Sequence, residues 1–86
     1  MKTTVLKTSG TVNKDNEWYL FDVMDEDGNC SLTVRYPLNY FDSNMKRDNC
    51  FFATKKFPFQ IKDVLPILDQ SISELIGLIE RKKQLQ

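Results

Sequence analysis

Apolar and polar positions alternate through the first two thirds of the chain, and the period then lengthens to that of a helix. Residues 3–12 (TTVLKTSGTV) are rich in Thr and Val and predict a first strand. Asn13-Lys14-Asp15-Asn16 is a turn cluster, and Glu17–Met24 (EWYLFDVM) is the strongest strand signal. Asp25-Glu26-Asp27-Gly28-Asn29 is the strongest turn, with Asp27-Gly28 suited to a two-residue hairpin loop whose central residues take positive φ. Cys30–Tyr36 (CSLTVRY) alternates cleanly and predicts a third strand.

That loop sets a register. It places Val23 opposite Leu32, Phe21 opposite Val34 and Tyr19 opposite Tyr36, all on one apolar face. The other face carries Trp18, Leu20, Asp22 and Met24 against Pro37, Arg35, Thr33 and Ser31. Across the Asn13–Asn16 turn the pattern predicts Leu6 opposite Val23 and Lys7 opposite Asp22. Pro37–Asn49 shows no clear period, and Leu38, Tyr40, Phe41 and Met45 suggest a helical turn plugging one end of the sheet. Cys50–Phe59 reads as a fourth strand that Pro58 ends or holds at an edge.

From Ile61 to Ile79 the period is helical. Leu65, Leu68, Ile72, Leu75 and Ile79 recur at spacings of three and four, and Val64 and Ile76 widen the stripe. Asp63 is the expected N-cap, Pro66 is tolerated in the first turn, and Lys82 and Lys83 suit the helix C-terminus. The tail Gln84-Leu85-Gln86 is expected to fray. Ile67 and Leu78 lie off the stripe, on a side shared with Ser71 and Glu74. The expected architecture is α+β: an antiparallel sheet of about four strands, either a meander or an open half-barrel, packed with one long C-terminal helix. The 86 residues have room for a single domain spanning 1–86.

Charge narrows the function. The 12 basic and 12 acidic side chains cancel, whereas non-specific nucleic-acid binders usually carry an excess of positive charge. Acids concentrate in 15–29 and bases in 46–62, which a pair of solvated, weakly attracting faces explains. The N-terminus MKTTVLKTSG lacks the apolar run of a signal peptide, and no stretch approaches the roughly 18 apolar residues of a membrane span. The expectation is a cytoplasmic protein, away from membranes, with Cys30 and Cys50 reduced.

Candidate chemistry is sparse. With no histidine, the commonest general base and most zinc ligand sets are missing. The two cysteines are too few and too far apart for a zinc site or a CxxC motif. The glycines Gly10, Gly28 and Gly77 are isolated, so no phosphate-cradling loop is present. A calcium loop with Gly28 at its sixth position needs oxygen ligands where Val23 and Val34 stand. The expectation is therefore a protein without enzymatic activity, metal or cofactor.

Two features suit binding. The off-stripe helix residues Ile67 and Leu78, with the acidic turn Asp25, Glu26 and Asp27, are the expected contacts for another protein. The same helix also offers a seam for pairing two copies. The second feature is the outer sheet face, where Trp18, Leu20 and Arg35, with Lys55 and Lys56 on the fourth strand, would stack and neutralise single-stranded nucleic acid. Burial of Trp18 under the helix is the favoured alternative for that residue.

Gly10-Thr11-Val12, Trp18-Tyr19-Leu20-Phe21-Asp22-Val23 and Leu32-Thr33-Val34-Arg35-Tyr36 together resemble the first three strands of OB-fold domains, over roughly residues 9–57. The resemblance implies a short helix at Leu38–Met45, a fourth strand at Cys50–Thr54 and a very short fifth at Phe57–Ile61. It also implies single-strand binding through Trp18, Leu20, Thr33 and Arg35, or subunit joining through the C-terminal helix. The protein-binding module, acting as regulator, inhibitor or subunit, ranks first. The nucleic-acid binder ranks second.

Overall fold

The computed structural model describes residues 5–26, 29–37 and 50–85. Four strands, β1 (Val5–Lys14), β2 (Glu17–Glu26), β3 (Asn29–Pro37) and β4 (Cys50–Phe57), form one antiparallel meander in the order β1-β2-β3-β4. A C-terminal helical segment follows: α1 (Ile61–Val64), a 3₁₀ turn at Leu65–Ile67, and α2 (Leu68–Gln84). This is the α+β sheet-and-helix domain that the pattern predicts. β1 and β4 are the two edges and do not pair, so the sheet is open. The chain bends at Pro58-Phe59 and enters α1 at Ile61, so the short fifth strand that an OB barrel needs is not found among the described residues.

The β2–β3 register matches the expectation, with Phe21 opposite Val34 and Val23 opposite Leu32. Glu26 pairs with Asn29, while Asp27 and Gly28 lie outside the described residues. The β1–β2 register differs by two. Asn13 and Lys14 belong to β1, and the turn is Asp15-Asn16 alone, at φ 54 and 66. Asp and Asn tolerate this left-handed region, and a turn with both central residues there matches the twist of a hairpin. Leu6 therefore stands opposite Asp25 rather than Val23, and Lys7 opposite Met24 rather than Asp22. A two-residue slip preserves the strand's alternation.

The helical segment covers the face that carries Tyr19, Val23, Leu32 and Val34, lying over β3 and β4. Those four side chains are buried with Cys30, Ala53, Phe57, Val64, Ile72, Leu75, Ile76 and Ile79 in one core. Phe21 and Tyr36 pack against it without being enclosed. Trp18 is 49% exposed. The expectation that the helix covers it fails because strand alternation turns neighbouring Trp18 and Tyr19 to opposite faces, and the helix takes the Tyr19 side.

Two features of the helix start also differ from expectation. Its first residue is Ile61, so Asp63 sits inside the first turn and is not the cap. The Ile61 N–H is satisfied instead by Asp25 Oδ2 at 2.9 Å, from 36 residues earlier in the chain. Pro66 cannot donate a backbone hydrogen bond, and the backbone there tightens into the 3₁₀ turn. Ile67 leaves helical dihedrals at φ -110 and ψ 15, so the helical phase does not run unbroken from Leu65 into α2, and Leu65 is exposed. At the other end α2 runs to Gln84. The suggested plug at Leu38–Met45 lies outside the described residues.

Candidate functional site

One flank of α2 collects the off-stripe residues. Within α2, Ser71, Glu74, Leu78 and Arg81 recur at spacings of three and four along one line, on which Glu74, Leu78 and Arg81 are exposed and Ser71 is buried, while Ile67 directly precedes α2 in the 3₁₀ turn. The sheet-facing stripe, Ile72, Leu75, Ile76 and Ile79, is buried, whereas Ile67 is 40% and Leu78 44% exposed. Leu85, just after α2, is more exposed still. Glu74 Oε2 accepts from Lys55 Nζ of β4 at 3.2 Å, which turns this flank toward the β4 edge. Arg81 extends the Glu74–Leu78 line at the same spacing, so the helical period already carried it.

The expected acidic contacts are dispersed. Glu26 is exposed at the end of β2. Asp25 is 8% exposed, and its carboxylate holds the start of α1. Asp27 lies outside the described residues. The structure thus leaves Ile67 and Leu78 exposed and engages Asp25 inside the chain.

On the outer face of the sheet the register builds rows across the strands. One row is Thr11, Leu20, Arg35 and Phe52, and the next is Ser9, Asp22, Thr33 and Thr54. Trp18 stands opposite Asn13 at the end of this face. Arg35 reaches diagonally to Asp22 at 3.3 Å, and the Thr33 and Thr54 hydroxyls share a hydrogen bond of 3.0 Å. Arg35 Nε is buried without a hydrogen-bond partner among the described residues. Lys56 shares this face, opposite Ser31. Lys55 does not. It stands opposite Leu32 on the helix side, paired with Glu74 and lying 5.4 Å from the centre of the Phe57 ring. Of the candidate nucleic-acid contacts, Trp18, Arg35 and Lys56 therefore share a face, and Lys55 is on the opposite one. Phe52 joins the first group through its pairing with Arg35, a neighbour that only the β3–β4 register reveals.

A third group closes one end of the inner face. The Tyr19 and Tyr36 rings meet at 5.5 Å, and Lys83 Nζ lies 3.8 Å from the Tyr36 centroid and 5.7 Å from that of Tyr19. Burial, with the nearby carboxylates Glu80 and Glu17, pushes the Tyr19 phenol up to about 12. Tyr36 is raised by its hydrogen bond with Glu17 and then by burial. Lys82 donates to the Phe52 carbonyl of edge strand β4 and lies over the Phe52 ring.

An apolar groove of about 380 Å³ runs between β1 and α2, lined chiefly by Val12, Phe21, Leu68, Ile72 and Ile76. Phe21 lies over Gly10, where a Cβ would come within 2.8 Å of its ring. No three His, Cys, Asp or Glu side chains gather into a metal site among the described residues. None of the described helices is long and apolar enough to cross a membrane. Neither cysteine is in a disulfide, and burial followed by the Asp25 charge raises the Cys30 thiol above its ordinary value. Comparison with known proteins finds no matching family model, no matching curated protein and no matching solved structure.

Proposed function

We propose that this protein is a non-enzymatic protein-binding module, a regulator, inhibitor or subunit that works by covering part of another protein's surface. The observation that carries the reading is the exposure of Ile67, just before α2, and of Leu78 within it, at 40% and 44%, beside a stripe already packed on the sheet. Apolar side chains that the fold does not need for its own core are available to a partner, and desolvating them supplies association energy. The neutral charge balance and the lack of histidine weigh against nucleic acid and against common catalysis. The cytoplasm, where Cys30 and Cys50 stay reduced, is the proposed compartment. The test compares proteins captured by the wild-type chain and by the Ile67→Glu/Leu78→Glu variant, with circular dichroism checking that both are folded. The reading expects a stoichiometric partner that the variant loses. A partner retained equally by both would overturn it.

A second reading rests on Trp18, which is exposed on the same face as Leu20, Arg35 and Phe52. Such a surface can stack unpaired bases. It ranks second because Arg35 is engaged by Asp22 and Lys55 stands on the opposite face. Titration with single-stranded DNA and RNA at low salt checks it through the fluorescence of the chain's one tryptophan. Salt-reversible quenching supports this reading, and an unchanged spectrum removes it.

A further inference from the structure

We infer that the partner received by the α2 flank is a second copy of this chain, docked antiparallel with Leu78 at the two-fold axis. The inference rests on the protein-binding reading of this flank and names its occupant. Its basis is the order of charges along the line. Glu74 lies four residues before Leu78, and Arg81 and Lys82 lie three and four residues after it. The exposed line therefore reads acid, leucine, base, with the sign inverting about its own apolar centre.

Only one kind of self-pairing uses that inversion. Two parallel copies would set Glu74 against Glu74 and Arg81 against Arg81, which is repulsive. Two antiparallel copies meeting at Leu78 set Glu74 of each against Arg81 and Lys82 of the other. A two-fold contact must be self-complementary in this way. Glu74 keeps its contact to Lys55 through Oε2 and has a second oxygen for the other copy. Lys82 is drawn toward the Phe52 carbonyl, so Arg81 is the main cation across the axis. The flank lies on the β4 side of the molecule, so two copies approach without disturbing the packed stripe. A single helix flank is a small interface, and the expected dimer is weak, forming in the micromolar range or above.

The experiment is sedimentation equilibrium of the whole chain from low micromolar to millimolar concentration. Wild type, Glu74→Arg, Arg81→Glu and the double reversal are compared, each checked for folding by circular dichroism. Wild type is expected to dimerise, each single reversal to weaken self-association by about tenfold or more, and the double reversal to recover most of the loss. That recovery separates pairing of two copies from binding of an unrelated protein, whose charges would not change with the variant. A wild-type chain that stays monomeric throughout overturns the inference, as does a double reversal no better than the single ones. If the chain is monomeric and Ile67→Glu/Leu78→Glu still loses a different captured protein, the second copy is excluded while the protein-binding reading stands.

Discussion

The carboxylate of Asp25, near the end of β2, accepts the backbone N–H of Ile61, the first residue of α1, at 2.9 Å. A sheet residue thereby satisfies one of the donors that a helix start leaves open. The bond ties the β2–β3 end of the sheet to the helical segment. Asp25→Ala should lower stability by about 1–2 kcal/mol, read from the urea midpoint, and Asp25→Asn, which keeps an acceptor, by less. An unchanged midpoint in Asp25→Ala would show that the bond contributes nothing.

Gly10 and Phe21 form the second pair that tests the fold. A Cβ at Gly10 would approach Phe21 Cε1 and Cζ to 2.8 Å, so the ring must move. Gly10→Ala is expected to destabilise by about 1–2 kcal/mol despite the better strand propensity of alanine. Combining it with Phe21→Leu should cost less than the sum of the two single changes, as a double-mutant cycle would show.

Tyr19 gives the pH dependence. Its phenol is pushed up to about 12 when folded, against about 10 in an unfolded chain, with burial the main cause. The folded state therefore holds this proton more tightly. Its contribution is complete below about pH 10 and disappears as pH rises to about 12. Chemical denaturation between these limits should show a steeper loss of stability in wild type than in Tyr19→Phe. Equal slopes would mean that Tyr19 ionises as readily in the folded chain as in the unfolded one.

The two thiols should differ in reactivity. Cys30 is buried and its thiol is raised by burial and the Asp25 charge, so little reactive thiolate forms. Cys50, at the start of β4, is only half-buried. In the native protein iodoacetamide should label Cys50 about tenfold faster or more, and Cys30 should equalise once urea unfolds the chain. Mass spectrometry of the peptides checks this, and native labelling of Cys30 at the Cys50 rate would contradict the burial.

What the sequence discloses depends on how one-sided each element is. In the β2–β3 hairpin the loop length and the alternation agree, so Phe21–Val34 and Val23–Leu32 were readable in advance. At Asn13–Asn16 four polar residues in a row suit either a long or a short turn, and the left-handed pair Asp15-Asn16 decides it. β2 is apolar on both faces, so its pattern alone does not say whether the helix covers Trp18 or Tyr19. In β4 the doublets Phe51-Phe52 and Lys55-Lys56 hide the alternation, and only the pairing with β3 separates Lys55 from Lys56. The helical period exposed Ile67 and Leu78 correctly but missed Leu65, because the helical dihedrals break at Ile67 before α2 begins.

The reach of Lys82 to the Phe52 carbonyl joins the last turns of α2 to the β4 edge. An exposed strand edge is a template for further strands, and a lysine head placed on it is a guard against sheet-to-sheet growth. Because the helix carries that guard, removing the last turns of α2 would bare this part of the edge.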